Sequence, residues 1–561
     1  MKKILNLIND TIKYVWKYKM LLFLCIFIYA VTLIRIIFDG GMGCINGSCG
    51  FIIGENSRDG IWFMSVAATA FKSFPFQIPV FSGTPLQGYY YFPALIVYII
   101  SKVGVPITIF CYKIFPWLYL FSMTVILVTL GRKIKDNPLF VFFLLFFTLL
   151  GIPLTIAPAL IHSLPIQNRL LINTFQANNI FDSFPTAFSY LLFFPGIILA
   201  IKEKKMVRDY ILISILLFFL FGTKFYTAFL FLFIVSIYEV IRVVQNKQTI
   251  RSALFHVGLF LLFTFSSILV FLDPIHTTKG VSMFTFAPFA TVHHLIEEPT
   301  LFYLKNMTLA RYYLYQFGMT PRLLAIELFS TLLFIVFYFG IRIIGFIYLA
   351  KRYIFRKATD IEISVGISMV LCILLSVLLI QRGDWFNPIQ FAVGVAHLLS
   401  IYAALLCYEM YKHNKKFFYG VFIIVILCTI PSNMVNLGYL NVDRHVISMN
   451  EMKAINFLKA QKDGPVFVPI DEDDSPYIPL LTGKTTYYNF IHVLESFGID
   501  ATKRKNQVSD FKKIIVDELE IKYAYLPTGF NKFGLLYKKF NSSKKYRLIF
   551  RNIDIAIFMK I

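Results

Sequence analysis

Residues 210–241 read YILISILLFFLFGTKFYTAFLFLFIVSIYEVI, an apolar stretch of 32 residues that Gly222-Thr223-Lys224 interrupts. Basic residues lie just beyond both ends of this stretch. Because Lys and Arg accumulate on the cytoplasmic side of a membrane, we expect both ends on that side. The sequence therefore predicts two short membrane helices that are joined at the far face by a tight turn.

The composition of the whole chain extends this interpretation to a polytopic α-helical membrane protein. Its 561 residues are 58% hydrophobic and 15% charged, whereas ordinary globular domains carry about 25% charged residues. Largely uncharged runs of roughly 18 to 25 residues recur, the length that crosses about 30 Å of hydrocarbon. The first run lacks the cleavage pattern of a signal peptide, so we expect it to be retained. Eleven spans are predicted at Met20–Phe38, Pro106–Gly131, Pro138–Ala157, Thr186–Ile201, Tyr210–Phe221, Phe225–Ile241, Ala253–Leu272, Leu323–Ala350, Ile363–Ile380, Pro388–Tyr408 and Phe417–Val435.

Much of the net charge of +23 follows from this topology. With the N-terminus in the cytoplasm, six short cytoplasmic segments hold 22 Lys and Arg residues, and the longer opposite loops before residue 436 hold 10. Such an asymmetry is typical of a multi-pass protein of a cell membrane. It accounts for the basic charge without a nucleic-acid partner. The odd number of spans places the C-terminus outside the cytoplasm.

Two domains are predicted. Residues 1–435 form the transmembrane domain, in which Asp59–Lys72 and Tyr89–Ile100 are expected as amphipathic helices at the outer membrane interface. Residues 436–561 have the composition of a small extracytoplasmic α/β domain. The large outer loops are 39–105, 158–185 and 273–322. In the second domain, helices are predicted at Met449–Ala460 and Val508–Leu519, and strands near Val466–Pro469, Thr485–Tyr488, Tyr523–Leu526, Arg547–Phe550 and Ile553–Met559.

Cysteine usage leaves one question open. Five of the seven cysteines lie in apolar segments, where Cys behaves as a small apolar residue. Cys44 and Cys49 lie together in the first outer loop, where a disulfide could form outside the cytoplasm. The sequence leaves the paired and unpaired states equally open. The second Cys/His pair that a zinc site needs is missing here.

The first outer loop carries the residues best suited to chemistry. It reads GENSRDGIW at residues 54–62 and FPFQIPVFSGTPL at residues 74–86, and Tyr89-Tyr90-Tyr91 follows. Glu55 and Asp59 lie at the expected start of a helix, where the helix dipole favours an ionised carboxylate. Such a group can act as a general base or hold a divalent cation. An ordinary helix cap is the alternative.

These motifs resemble those of the GT-C glycosyltransferase superfamily, and most closely its bacterial protein-mannosyltransferase-like and aminoarabinose-transferase-like members. The similarity lies in the first-loop acid, the FPxxxPxFxG run, the Tyr-rich segment and the span that ends in Gly131-Arg132-Lys133. It covers about the first 135 residues by motif and the rest by general layout. In the residues after 435, the Trp-Trp-Asp motif of oligosaccharyltransferases is absent, which argues against that subgroup.

The resemblance implies an inverting transfer of a sugar from a polyprenyl-phosphate-linked donor to an acceptor at the outer face. It implies that Asp59 acts as catalytic base or metal ligand, with Glu55 as its helper. A divalent cation, Mg²⁺ or Mn²⁺, is one implied cofactor. Many members have adjacent acids, whereas Glu55 and Asp59 are four positions apart, so the metal stays open. Tyr90 and Tyr91 are expected to contact the substrate.

A lipid-phosphate donor needs a cation beside its phosphate, and an Arg fork suits this role best. Arg382 is the first candidate, with local pairing to Asp384 as the alternative. Asp182 and His276 also face outward and are further substrate-binding candidates. Weaker candidates, for which snorkelling at the interface is the alternative, are Lys113, Lys224, Arg311 and Arg322. Among the remaining acidic and His residues, His293-His294, Glu297-Glu298 and Asp471-Glu472-Asp473-Asp474 are expected to be mostly solvated, and Glu327 and Arg342 to face the bundle interior.

The sequence thus favours a membrane glycosyltransferase of the cell envelope. Its expected partners are the bilayer, a polyprenyl-phosphate sugar and an acceptor that is a glycan, a lipid or a protein. A polysaccharide polymerase, a transporter or flippase of lipid-linked glycans, and a non-catalytic scaffold are the alternatives. No P-loop or dinucleotide-binding glycine run is present. Sugar, acceptor and oligomeric state are not encoded in any motif that we recognise.

Overall fold

Long apolar helices make up most of the first 439 residues in the computed structural model. It describes residues 2–18, 22–31, 42–45, 48–52, 57–151, 153–154, 183–273, 284–297, 303–381, 386–439, 444–469, 476–528 and 533–561. The helices up to residue 272 are α1 (Lys2–Lys17), α2 (Leu22–Val31), α3 (Ser57–Thr69), α4 (Phe92–Lys102), α5 (Ile107–Ile134), α6 (Pro138–Leu150), α7 (Phe184–Ala200), α8 (Val207–Phe221), α9 (Phe225–Val244) and α10 (Ile250–Leu272). The next six are α11 (Ala290–Glu297), α12 (Lys305–Tyr315), α13 (Pro321–Ile354), α14 (Asp360–Leu378), α15 (Asn387–His413) and α16 (Lys415–Tyr439).

Local sequence signals explain where several of these helices begin. Asn137 precedes Pro138, the first residue of α6, and its side chain accepts hydrogen bonds from the N–H groups of Leu139 and Phe140 at 3.0 and 3.4 Å. Thr359 and Glu362 form a capping box at the start of α14. These side chains satisfy N–H groups that the first turn of a helix leaves without a partner.

Six described helices are long and apolar enough to cross a membrane: α5, α9, α10, α13, α14 and α15. A seventh span results if α1 and α2 form one bent pair. Several remaining predicted spans coincide with helices α6, α7, α8 and α16. The total of eleven stays a prediction, because α6, α7 and α8 have between 13 and 17 residues, somewhat short of the length that crosses hydrocarbon.

The break predicted at Gly222-Thr223-Lys224 is confirmed. Helix α8 ends at Phe221, and α9 begins at Phe225. The backbone N–H groups of Thr223 and Lys224 donate to the carbonyl of Leu220 at 3.0 and 2.7 Å, which closes the turn. The two helices therefore return to the same end of the bundle.

Helix α15 lies at the centre of the bundle. Every residue from Gln390 to Ala404 is buried. Helix α10 is its opposite, because Leu254, Phe255 and Phe265 are each at least 60% exposed. A continuous exposed apolar face of this kind is suited to lipid rather than to water.

Helix α3 differs from its prediction as an interfacial amphipathic helix. Residues Ile61 to Ala67 are all buried, and the helix packs on a C-terminal helix, Tyr477–Thr482. A helix that is apolar on nearly all sides is an interior helix. The second predicted interfacial segment forms α4, which begins at Phe92 because Pro93 suits the first turn.

Two small sheets tie distant loops together. The hairpin of β1 (Met42–Ile45) and β2 (Ser48–Ile52) pairs with a later strand, Arg444–Ser448. Its backbone register places Cys44 opposite Cys49. Strands β3 (Phe284–Phe286) and β4 (Leu379–Gln381) pair antiparallel.

The chain after residue 443 contains a four-stranded sheet. The helices and strands in this part of the chain are β5 (Arg444–Ser448), α17 (Met449–Ala460), β6 (Val466–Phe467), α18 (Tyr477–Thr482), α19 (Ile491–Ser496), α20 (Thr502–Val508), β7 (Tyr523–Pro527), α21 (Gly534–Ser542), β8 (Tyr546–Arg551) and β9 (Ile555–Lys560). The sheet order is β6-β7-β9-β8, with β6 parallel to β7 and the other pairs antiparallel. The boundary at residue 436 and the side of the membrane stay predictions.

Two predictions in this region are wrong. The helix predicted at Val508–Leu519 is absent, because the carboxylate of Asp510 accepts from the N–H of Lys512 at 2.9 Å and turns the chain. The strand predicted at Thr485–Tyr488 is reduced to one bridge, between Thr486 and Val466. The helix Met449–Ala460 has the predicted bounds, and the strands at β6, β7, β8 and β9 are present.

Glu327 and Arg342 lie inside the bundle, as predicted, with 3% and 0% of their surface exposed. His293 and Glu297, which were expected to be solvated, have protein partners instead. Nε2 of His293 lies 2.7 Å from the Glu327 carboxylate, and Glu297 pairs with Arg311. His293 and Glu297 lie one helical turn apart on the same face of α11. Their partners come from the neighbouring helices, Glu327 from α13 and Arg311 from α12. The segment 471–474 lies outside the described residues.

Candidate functional site

The candidate site lies at the loop end, which we define as the end of the bundle where α3, the turn Gly88–Tyr91, the turn Gly222–Lys224 and the last residues of α10 meet. Three contacts hold these parts together. The N–H of Gly88 donates to Leu272 at 2.8 Å, and the N–H of Phe92 donates to Gly222 at 3.0 Å. The Tyr91 hydroxyl donates to the carbonyl of Val270 at 2.9 Å.

Asp59 lies in the first turn of α3, and its side chain is exposed. The following residues, Ile61 and Trp62, are buried, so the helix holds the carboxylate at the rim of a rigid element. N–H groups in a first helical turn have no partner in the helix and favour a negative charge. This position suits an ionised carboxylate.

The charge of the Asp59 carboxylate affects Tyr89 in the turn Gly88–Tyr91, which we call the tyrosine turn. Burial, the neighbouring Tyr90 and the charge of Asp59 raise the pKa of Tyr89 well above its ordinary value. Tyr89 therefore stays neutral, and its ring packs edge-on against Trp62 at 5.7 Å and stacks on Tyr90 at 5.2 Å. The turn itself requires glycine at Gly88, where φ is +67°.

Lys224 lies on the other side of the same turn. It is 4% exposed, and its Nζ donates to the Tyr90 hydroxyl at 3.0 Å and to Ser183 Oγ at 3.5 Å. The ammonium group faces the rings of Tyr90 and Tyr226, at 5.1 and 5.9 Å from their centroids. Aromatic faces and hydroxyl groups stabilise a buried cation.

Two helices begin beside Lys224. Ser183 precedes the first residue of α7, and Lys224 precedes the first residue of α9. The first turn of α9 presents N–H groups without an intrahelical partner, and this arrangement attracts anions. In α7, Pro185 has no N–H and the N–H of Thr186 donates to the carbonyl of Ser183 at 2.9 Å, so this helix contributes the positive end of its dipole. Together with the ammonium group, these two helix ends produce a positive potential that can hold a phosphate.

A polar network extends from Tyr226 towards α15. Its hydroxyl donates to Oε1 of Gln381, and Nδ2 of Asn387 donates to the same oxygen at 3.0 Å. Gln390 in turn donates to Asn387. Gln381 is 5% exposed and directly precedes Arg382 in the sequence.

C-terminal residues cover the side of the site that α3 forms. The segments Pro79–Ser82 and Thr486–Asn489 pair through their backbones, with N···O distances of 2.8, 2.9 and 3.0 Å. We call this pair of segments the latch. Arg504 stabilises the latch by donating hydrogen bonds to the carbonyls of Ser82 at 2.8 Å and Tyr487 at 2.7 Å. Its guanidinium group lies between the rings of Phe81 and Tyr487, at 4.2 and 4.4 Å.

Of the site residues predicted from sequence, Tyr90 lies in the tyrosine turn, and Asp59 on α3 acts on its neighbour Tyr89. The Tyr91 hydroxyl is used within the protein, where it holds the turn to α10. Glu55, Asp182, His276 and Arg382 lie outside the described residues, so their roles stay predictions.

The residues available for a divalent cation do not form a metal centre within the described part of the chain, where no three His, Cys, Asp or Glu side chains converge. Asp59 supplies one carboxylate at the loop end. Its predicted helper, Glu55, is not among the described residues. Binding of Mg²⁺ or Mn²⁺ stays a prediction.

Sequence reasoning ranked Lys224 below Arg382 and did not select Ser183, Tyr226 or Gln381. A signal for Lys224 was present, since a charged residue inside an apolar stretch is costly and is usually retained for a function. Its partner Tyr90 is 134 positions away, and no local pattern reveals a contact of that separation.

The bundle, with an acid at the start of a buried first-loop helix and C-terminal residues packed against it, has a fold that is similar to that of a solved structure. That structure is the oligosaccharyltransferase of Archaeoglobus fulgidus tethered to an acceptor peptide that contains the NVT sequon. It is 11% identical, with a TM-score of 0.51 over 91% of this chain and 70% of that chain. A second is AglB of Archaeoglobus fulgidus with an inhibitory peptide and a dolichol-phosphate, at 12% identity, a TM-score of 0.49 and the same coverages of 91% and 70%. No protein-family model matches the sequence, and no curated protein matches it significantly.

Proposed function

We propose that the chain is a membrane glycosyltransferase that moves a sugar from a polyprenyl-phosphate-linked donor to an acceptor outside the cytoplasm. One observation carries the proposal: Asp59 and Lys224 act on the two adjacent tyrosines of one turn, Asp59 on Tyr89 and Lys224 on Tyr90. A carboxylate and a cation that act on one turn are the two groups that glycosyl transfer from a phosphate needs, because a proton leaves one reactant and a charged phosphate leaves the other.

In the proposed reaction, the acceptor hydroxyl gives its proton to the Asp59 carboxylate while its oxygen attacks the anomeric carbon. The bond between that carbon and the phosphate oxygen breaks, and its electron pair stays on the phosphate. Lys224, the first-turn N–H groups of α9 and the positive end of the α7 dipole stabilise the released phosphate. A single displacement from the opposite face inverts the anomeric configuration.

The proposal includes the topology that the sequence predicts. Eleven spans place the N-terminus in the cytoplasm and residues 436–561 outside it. The polyprenyl chain then reaches the loop end from the bilayer. The absence of a Trp-Trp-Asp motif after residue 435 argues against a peptide acceptor of the oligosaccharyltransferase type.

The experiment is a transfer assay with purified protein in lipid nanodiscs, radiolabelled polyprenyl-phosphate sugars and a mixed acceptor fraction. Replacing Asp59→Asn removes the base without changing size, and we expect transfer to fall by about 10²- to 10⁴-fold. The matched control is Asp136→Asn, which changes an exposed carboxylate beside Arg132. Transfer at the wild-type rate by the Asp59→Asn variant contradicts the base assignment.

Transport of lipid-linked glycans is the second candidate. Arg342 and His397 are buried inside the bundle, and α13 is interrupted by a 3₁₀ turn at Gly340–Ile343. Ionisable residues and broken helices in the bundle are typical of transporters. A wild-type protein that moves the lipid-linked sugar across a vesicle membrane, and forms no glycosylated product, supports this candidate.

A further inference from the structure

A second polar cluster lies inside the bundle and takes no part in the site at the loop end. It consists of Arg342 and Tyr338 on α13, Thr148 on α6, Tyr190 on α7 and His397 on α15, and we call it the buried polar cluster. All five residues are 0 to 2% exposed. Polar groups inside a membrane bundle are costly, so their presence in one place requires an explanation.

Arg342 is fixed against the end of α6. Its Nε donates to the carbonyl of Phe147 at 3.0 Å, and one terminal nitrogen donates to the carbonyl of Thr148 at 3.4 Å. Gly151 makes this approach possible, because a Cβ atom there would lie 2.7 Å from Nε. The positive charge therefore has a defined position between α6 and α13.

The other four members lack partners for their polar side-chain atoms among the described residues. These atoms are Oγ1 of Thr148, the hydroxyl oxygens of Tyr190 and Tyr338, and Nδ1 of His397. Each group is able to donate a hydrogen bond. Buried polar atoms are almost always satisfied, so four such atoms in one cluster point to an unseen acceptor.

The four groups belong to residues that lie around the positive charge. The rings of Tyr190 and His397 lie 4.1 Å apart. The guanidinium charge of Arg342 acts on Tyr190, Tyr338 and His397, and one of its terminal nitrogens reaches the backbone of Thr148. An acceptor held by these donors therefore lies in the field of a guanidinium group, which favours a negative ion over a neutral molecule.

We propose that the buried polar cluster binds a small inorganic anion, with chloride as the physiological occupant. The donors supply hydrogen bonds, and Arg342 supplies the positive potential. Full burial of all five residues suits a single-atom ion better than a phosphate that carries a lipid chain. This inference does not depend on the proposed glycosyl transfer, and bound water is the alternative that the test separates from it.

The first test measures thermal unfolding of the purified full-length protein in NaCl, NaBr and sodium gluconate at equal ionic strength. A ligand that binds the folded state raises the unfolding temperature with its concentration. We expect a halide-dependent rise of about 3 °C that saturates. Crystals grown in NaBr are expected to give an anomalous bromine peak among the four donors.

The second test uses the double variant Tyr190→Phe/Tyr338→Phe, which removes two donors and keeps both rings. We expect it to lose the halide-dependent rise and the bromine peak. The matched control is Tyr402→Phe, because Tyr402 is also buried on α15 but has Glu362, Tyr353 and Tyr348 as its electrostatic neighbours. The proposal is overturned if the wild type shows no halide dependence and no bromine peak, which indicates water alone, or if the double variant keeps both.

Discussion

At the scale of single residues, Lys224 has one position that serves two purposes. It closes the turn between α8 and α9 through its N–H, and its side chain reaches Tyr90 from a different part of the chain. A buried ammonium group is retained where hydroxyl groups and aromatic faces replace its water shell. Lys224 can accept a phosphate as a further partner because an ammonium group has three donors.

The variant Lys224→Met tests this role. Methionine keeps much of the side-chain volume and removes the charge that would stabilise the released phosphate. We expect the transfer rate to fall by about 10²- to 10³-fold, the usual loss for one electrostatic donor, and Lys224→Arg to keep more activity than Lys224→Met. The control is Lys102→Met, at an exposed position near Tyr98. Equal transfer by the two Lys224 variants contradicts a role for the charge.

Lys205 gives a prediction about pH. Burial lowers its pKa to about 8, with its Nζ 3.8 Å from the ring centroid of Tyr238. Between pH 8 and about 10.5 the unfolded chain binds more protons at this residue than the folded protein does, so folding stability rises with pH across that window. We expect Lys205→Met to stabilise the protein by about 1 to 3 kcal/mol at pH 7 and to remove this rise. Unfolding temperatures from pH 7 to 10 measure both effects, and identical pH profiles would contradict the lowered pKa.

At the scale of elements, the latch between Pro79–Ser82 and Thr486–Asn489 decides how the site is enclosed. The first loop lacks a regular strand here and borrows backbone partners from the C-terminal region. Trp62 on α3 packs against Phe490 and Phe497 at 6.1 and 5.9 Å. The helix that carries Asp59 is therefore held by aromatic contacts from the C-terminal region.

Removing the guanidinium group by Arg504→Ala is expected to weaken this latch. The variant loses two hydrogen bonds to backbone carbonyls and two ring contacts, about 2 to 3 kcal/mol together. Hydrogen exchange at residues 79–91 should become faster, because their closed state is less stable. The control is Arg547→Ala, at an exposed position of β8. Unchanged exchange in the Arg504→Ala variant shows that the backbone pairing alone holds the latch.

The elements also show what the sequence can and cannot predict. The turn at Gly222-Thr223-Lys224 and the helix Met449–Ala460 depend on neighbouring residues, so local patterns predict them. The latch depends on Thr486 meeting Pro79, a separation of 407 positions. The burial of α3 likewise depends on α18, and its composition alone suggested an interfacial helix. In the candidate site, Asp59 was predicted from a helix start, whereas Lys224 required the tertiary contact with Tyr90.

At the scale of the whole molecule, a set of ion pairs and the candidate site occupy opposite predicted sides of the membrane. The pairs Arg132–Asp136, Lys202–Asp209, Lys247–Asp360 and Arg352–Glu362 all lie in the segments predicted to be cytoplasmic. The loop end carries Asp59, Lys224 and the tyrosine turn. This division agrees with the distribution of Lys and Arg along the sequence and gives the proposed orientation a direct test.

That test labels single cysteines in a cysteine-free variant with a membrane-impermeant maleimide. We expect Lys503→Cys, in the C-terminal region, to react in intact cells. Lys357→Cys, between α13 and α14, should react only after the membrane is opened. Both positions are exposed, so a lack of reaction reports the side of the membrane rather than burial. Reaction of Lys357→Cys in intact cells shows that the protein has the opposite orientation to the one proposed.

The latch also has a consequence for biosynthesis. A ribosome that adds about 5 to 20 residues per second makes the segment Pro79–Ser82 long before its partner, since 407 positions separate Pro79 from Thr486. The backbone groups of Pro79–Ser82 therefore lack their partners in Thr486–Asn489 for roughly 20 to 80 seconds after they are synthesised. A chain that stops before residue 486 lacks the latch, so we expect a truncated product to be inserted in the membrane without activity in the proposed transfer assay.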